Sequence, residues 1–283
     1  MIRLFPLVVL AIYLSACSTA AYVQLFGTKA IQPVTNQNGN YVFENDTVKI
    51  VYSLWAEYGA MDFTIYNKLN VPLYIDWRKS AYIANEQKHD YWEDKETVNS
   101  ESHSVGVGVA YYNVAAAKSA TYGQAVKTKP ERITFIAPKS QVTKSQYEIY
   151  PVAYVKLSKG EISFKANSYS ADTNKKVAII HSNYQLDETP LSFRNFLTFS
   201  TSENFTHEFY ADNAFYISWV TIMSLQQFRG LSGVTDFDYP FADYKRFFIS
   251  LDNPGDAYCD GLFRDKRKSL AHNIFTGEWL QKK

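Results

Sequence analysis

Cysteine is nearly absent: two residues, Cys17 and Cys259, in a chain of 283. A disulfide framework of the kind that staples small secreted domains is therefore excluded. A zinc site built on several cysteines is excluded with it. An excess of charge of one sign is absent too, because 29 Lys and Arg face 28 Asp and Glu for a net charge of +1. Nucleic-acid binders carry a strongly basic domain or stripe, so no nucleic-acid partner is expected. Long hydrophobic runs are missing: the longest, residues 4–14, is eleven residues, against the ~20 that a membrane-spanning helix needs.

The familiar catalytic spacings are also lacking. Five histidines stand at 89, 103, 181, 207 and 272, none in the His-Glu-x-x-His pattern that sets two imidazoles on one helical face. Gly230-Leu231-Ser232-Gly233 is one residue short of the strained nucleophile elbow. Gly106 and Gly108 are followed by no Gly-Lys-Ser/Thr, which a phosphate loop requires. No catalytic residue, metal or cofactor is expected from these patterns. Asp236, Asp238 and Asp243 lie among aromatics, as glycosidase carboxylates do, yet Asp and Pro at that density read as a turn. The oxygen-rich segment 252–261 (Asp252, Asp256, Asp260) lacks calcium-loop spacing and contains the turn signal Asn253-Pro254-Gly255.

What the chain does have is aromatic and apolar. It holds 22 Tyr and 19 Phe, and 46% of its residues are hydrophobic, enough to bury a core without staples and too apolar for a disordered chain. Tyr and Phe favour strands. Strands are expected at residues 48–55, 61–67, 73–77, 132–138, 152–157, 161–164, 177–180, 191–200, 215–223 and 247–251, from period-two alternation and β-branched or aromatic runs between Gly, Pro and Asn punctuation. Residues 85–124 are charged at first and then rich in Gly and Ala. They read as a long insertion, with a short helix at 114–122. The basic stretch Arg264-Asp265-Lys266-Arg267-Lys268 reads as a solvated loop, and a short helix is expected at 269–275.

The N-terminus carries an address. Met1-Ile2-Arg3 is a basic start, residues 4–13 form an apolar h-region, and Leu14-Ser15-Ala16-Cys17 follows. This segment resembles the lipobox signal of bacterial membrane lipoproteins, which places Leu three residues before an obligatory Cys with small residues between. The resemblance implies cleavage before Cys17, a diacylglycerol thioether on its sulfur, and acylation of the new amino group. Two or more chains anchor stably where one does not. Ser18 and Thr19 are not the Asp that retains such proteins at the inner membrane. No acidic run follows Cys17 of the kind that marks surface-exported lipoproteins of Bacteroidota-like bacteria. The outer membrane, on its periplasmic side, is the location implied.

The expected fold class is mainly β: a β-sandwich-like body with a long insertion, a β-rich C-terminal part and few short helices. Its order of strand, Asn-containing turn, Pro and strand at 61–77 resembles bacterial immunoglobulin-like sandwich modules. The expected organisation is a signal peptide at 1–16, a tether at 17–40 with one short strand at 22–26, and a single body at 41–283, with 41–165 sandwich-like and 166–283 a packed subdomain. Trp77, Tyr91 and Trp92 mix aromatics with neighbouring charges and are the candidate binding surface, although Trp77 also suits the core. The function expected is that of a non-catalytic envelope lipoprotein that binds a partner or supports an assembly. A glycan-binding module using Tyr and Trp platforms is the alternative, and a hydrolase is the third reading.

Overall fold

The computed structural model describes residues 21–94, 97–111, 114–128, 130–152, 154–158, 160–172, 174–231, 240–252 and 255–276, with backbone only for 97–111, 114–128 and 271–276. The chain is mainly β, as expected, and its sheets are not closed into a barrel. Two sheets face each other across one core. The smaller has five strands in the order β12-β5-β4-β3-β2: β2 (Thr35–Gln37), β3 (Asn40–Glu44), β4 (Val48–Ser53), β5 (Ala60–Asn67) and β12 (Gln141–Glu148). β4 and β5 alternate buried and half-buried residues down their length, the pattern of strands with one face on a core.

The larger sheet has ten strands and is built around β16 (Glu208–Ser224). One edge of β16 pairs first with β15 (Ser192–Ser200) and then with β14 (Lys176–Asn183). Its other edge pairs with β1 (Tyr22–Ala30), which in turn pairs with β17 (Arg246–Ser250). β13 (Glu161–Ala166) extends the sheet beyond β14. On the far side, β15 carries β6 (Leu73–Asp76) and β7 (Ala81–Ala84), which lead to β11 (Ile133–Ile136) and β8 (Gln87–Asp90). Strands of the expected 41–165 and 166–283 parts are thus interleaved in a single sheet.

Aromatic rings join the two sheets. Tyr52 of β4 meets Phe215 of β16 edge-on at 5.0 Å, and Tyr41 of β3 lies 5.3 Å from the same ring. Within the larger sheet, Phe26 of β1 stacks on Phe247 of the neighbouring β17 at 4.6 Å. Tyr52 is fully enclosed, and its hydroxyl lies 2.7 Å from Asn213 Nδ2 and 3.3 Å from Asn195 Nδ2. Both amides donate to it, so a buried polar atom is satisfied where desolvation would otherwise be costly.

Four expectations need correction. Residues 22–37 are not a tether: β1 is buried without a break from Tyr22 to Thr28 and lies between β16 and β17. Its one long polar residue that is buried, Gln24, is accommodated because its side chain both donates to Val155 O and accepts from Val155 N, each at 2.7 Å. No strand forms at 154–157; Val155 is instead held by that Gln24 clamp. No helix forms at 114–122, where β9 (Thr97–Tyr111) and β10 (Val114–Thr128) make an antiparallel hairpin. The C-terminal helix is far longer than expected. Helix α1 (Leu225–Arg229) is short, but α2 (Gly255–Thr276) runs through the basic stretch 264–268 that was read as a loop. It docks through Asp256, whose Oδ1 accepts from Tyr22 N at 2.9 Å, and Asp260, whose Oδ1 accepts from the Tyr22 hydroxyl at 2.8 Å.

Candidate binding groove

The candidate surface expected from sequence is largely interior. Trp77 and Tyr91 are each 3% exposed, their rings pack edge-on at 5.7 Å, and both touch Phe63. The Trp77 Nε1–H donates to Thr134 Oγ1 at 2.8 Å, and the Tyr91 hydroxyl donates to Asn195 Oδ1 at 2.9 Å. Lys144 closes over them with Nζ 4.7 Å from the Trp77 ring, and burial lowers its pKa. These residues hold the core and offer a ligand no open face. Trp92 is half-buried and donates to Pro130 O at 2.9 Å. Cys17, Asp236 and Asp238 lie outside the described residues. Asp243 sits in a turn, where its carboxylate accepts from Lys245 N at 2.9 Å.

Among the described residues, a concavity lies on the outer face of the large sheet, away from the main core. It is a groove of about 890 Å³ over β13, β14, β16, β1 and β17, flanked by α1 and by Pro240 and Phe241. Alternation along the strands decides its lining. In β1, Gln24 and Phe26 face the main core while Val23 and Leu25 face outward, into a second apolar cluster with Ile179, Met223, Phe228 and Phe248. Register then sets residues of five strands in one row across the groove: Glu161 opposite His181, His181 opposite Thr221, Thr221 opposite Leu25, and Leu25 opposite Phe248.

The next row holds Asn183, Trp219, Gly27 and Arg246. Trp219 lies across Gly27, and the absence of a side chain there is what lets the indole lie against the sheet. A Cβ at Gly27 would stand 1.9 Å from Trp219 Cε2. The Arg246 guanidinium is 5.5 Å from the indole centre and the His181 ring 5.8 Å, cation–π and ring contacts that fix the aromatic at the groove's end. At the other end Gln227 of α1 is spent on structure. It donates to Ala166 O at 2.8 Å, accepts from Ser168 N at 3.0 Å, and receives the Ser168 hydroxyl at its backbone carbonyl.

A hydroxyl–imidazole–amide chain crosses the floor: Thr221 Oγ1 to His181 Nδ1 at 2.8 Å, and His181 Nε2 to Asn183 Oδ1 at 3.1 Å. All are satisfied when the imidazole donates from Nε2 and accepts the Thr221 proton at Nδ1. The order resembles a nucleophile, base and orienting group. What it lacks is anything to receive developing charge. β16 is paired on both sides around Thr221, so the backbone N–H groups nearby are committed to the ladders and cannot form an oxyanion hole. Thr221 is itself 5% exposed in mid-strand. Among the described residues, no group of three or more His, Cys, Asp or Glu could hold a metal ion, and no helix is long and apolar enough to cross a membrane.

Sequence patterns gave no direct sign of this groove, because its members come from five strands distant along the chain. The one local signal was the outward set of β16, where Trp219, Thr221 and Met223 alternate with buried Val220 and Ile222. Cys259 sits inside α2, fully buried, with its thiol pushed up to about 12 by burial and the nearby Asp256 and Asp260 carboxylates. That is an inert thiol. No family model, curated protein or solved structure matches this chain.

Proposed function

We propose that this chain is a lipid-anchored, non-catalytic binding protein of the cell envelope, and that the groove over Trp219 is its ligand surface. The groove's chemistry supports this: an apolar floor of Leu25, Ile179 and Met223, with Trp219 and Arg246 at one end and Glu161 and Lys165 along one edge. Ligand sites of this size are mostly apolar concavities with a few polar groups that fix orientation. Such a lining suits a molecule with an apolar body and an anionic or hydrogen-bonding end. It suits a glycan less, since a single half-buried indole stands there rather than a row of exposed, coplanar rings.

Two experiments separate the parts of this reading. Metabolic labelling with a palmitate analogue tests the anchor; Cys17→Ala is expected to lose the label, and undiminished label would sink the anchoring claim. For the groove, 1-anilinonaphthalene-8-sulfonate serves as an apolar, anionic probe. Ser163→Trp, at a half-buried position on β13, should fill the groove and weaken probe binding at least tenfold while leaving the melting temperature unchanged. Equal probe binding by both proteins would place the ligand surface elsewhere.

A further inference from the structure

The basic stretch 264–268 is helical, and the fold sets it beside the start of β1. Tyr22 docks along one row of α2. Its backbone N–H donates to Asp256 Oδ1 at 2.9 Å, its hydroxyl donates to Asp260 Oδ1 at 2.8 Å, and its ring stacks on Phe263 at 5.3 Å. Residues three and four apart share a helix face. Arg267 therefore continues the row of Asp256, Asp260 and Phe263, and its guanidinium lies 5.8 Å from the Phe263 ring. Arg264 and Lys268 follow Asp260 at spacings of four, on the adjoining row.

Arg264, Arg267 and Lys268 are exposed, and no ion pair among the described residues engages them. The acids of the docking row, Asp256 and Asp260, are both occupied by Tyr22. Asp265 and Lys266 lie off both rows. Leu262 and Phe263 pack on the body, so these turns offer charge and no apolar face for insertion. Chain length ties the three cations to the anchor. Five residues lead from Cys17 to Tyr22, at most about 18 Å of extended chain. Arg264 to Lys268 lie about 12–18 Å along the helix axis from Asp256. A tether this short keeps the end of the body that bears Tyr22 at the bilayer, and a tilt of the body brings the cations onto the head groups.

We propose that α2 is the membrane-facing edge of the protein: Arg264, Arg267 and Lys268 rest on anionic lipid head groups of the bilayer that holds the Cys17 acyl chains, and so fix which way the body faces. Each Lys or Arg near an anionic surface favours binding roughly fivefold, so three supply on the order of a hundredfold. The proposal rests on the lipid-anchor reading and adds to it the face that meets the membrane.

The test uses the full lipidated protein in phosphatidylcholine vesicles, with and without phosphatidylglycerol, and a lipid-borne energy acceptor. A donor fluorophore is placed at Ser269→Cys, an exposed position on α2, or at Asn36→Cys, exposed on β2. Cys259 is buried with its thiol raised to about 12, so background labelling is low. Phosphatidylglycerol should raise transfer from position 269 at least twofold and leave position 36 without such a rise. Salt at ~1 M, where charges are screened within ~3 Å, should cancel the rise. Arg264→Gln, Arg267→Gln and Lys268→Gln together should abolish it at an unchanged melting temperature, while Arg264→Lys with Arg267→Lys keeps it. Equal transfer from position 269 in both kinds of vesicle, or a triple Gln variant that responds as the parent does, would overturn the α2 contact. Palmitate label and flotation with vesicles of phosphatidylcholine alone report the anchor separately. If both are absent the anchor reading fails; flotation that needs phosphatidylglycerol and is lost in the triple variant then upholds the α2 contact alone, and no flotation overturns both.

Discussion

Removing residues 21–40 should unfold the protein, because the first strand belongs to the core. Val23, Leu25 and Phe26 are 0%, 2% and 0% exposed. Burying side chains of this kind contributes about 1.5–3 kcal/mol each, or roughly 5–9 kcal/mol for the three. Total stabilities run ~5–15 kcal/mol, so this loss is comparable to the whole. The deletion also strips β16 and β17 of their ladders to β1 and frees the Gln24 clamp on Val155. The single substitution Phe26→Ala, which removes the stack on Phe247, should cost about 3–5 kcal/mol. For a chain of this length that lowers the melting temperature by about 6–20 °C. Circular dichroism with urea and heat on residues 21–283, on 41–283 and on Phe26→Ala in 21–283 measures all three. A cooperative transition for 41–283 at the midpoint of 21–283 would refute the assignment of β1 to the core.

Three further outcomes are expected. The Asp76 carboxylate is fully buried, receives Arg132 Nη2 at 2.8 Å and accepts from Arg78 N at 3.0 Å. Arg132→Met should therefore destabilise by about 3 kcal/mol, since a buried charge loses its partner. Adding Asp76→Asn should recover part of that in a double-mutant cycle on urea midpoints, and strict additivity would contradict it. Cys259 should resist iodoacetamide at pH 8 in the native protein and react once unfolded, as read by mass spectrometry. Finally, stability should fall above about pH 10. Burial raises the Tyr52 and Tyr82 phenols, Tyr41 goes up to about 12, and Cys259 goes up to about 12. These groups stay protonated in the fold while the unfolded chain ionises from about pH 9–10. The folded state then binds more protons, so stability is lost as pH rises towards 12. The tyrosinate absorbance of these buried phenols should appear as a step that coincides with unfolding.

The mainly β class was legible because β4, β5, β15 and β17 advertise themselves by alternation or by runs of aromatic and β-branched residues. β1 was hidden. Its Gln24, Thr28 and Lys29 break the apolar pattern, and only the long-range clamp between Gln24 and Val155 explains how the amide tolerates the core. β12 was hidden for another reason. Gln141, Thr143, Lys144 and Ser145 give a polar edge strand whose register on β5 is set by pairing rather than by burial. Helix α2 lacks a continuous apolar stripe; it is held at its first turns by Asp256, Cys259, Asp260 and Phe263 against β1 and its neighbours. The groove was illegible because Leu25, His181, Trp219 and Arg246 meet only once four strands are in register. Tyr91 misled in the opposite sense, since charges beside an aromatic in sequence do not place it at the surface; Trp77 lies in the core that its sequence also suited.

The pairing of β1 also sets a schedule. Tyr22 is matched with Ser224 and Val23 with Ser250, partners about 200 residues later in the chain. At synthesis rates of ~5–20 residues per second, the first strand waits on the order of 10–40 s before its partners exist. Contacts so distant in sequence also make folding intrinsically slow. The larger sheet therefore closes only after the polypeptide is nearly complete, and until then β16 and β17 cannot take up the edges of β1. A chain with this timetable carries its first strand unpaired until its last strands have been made.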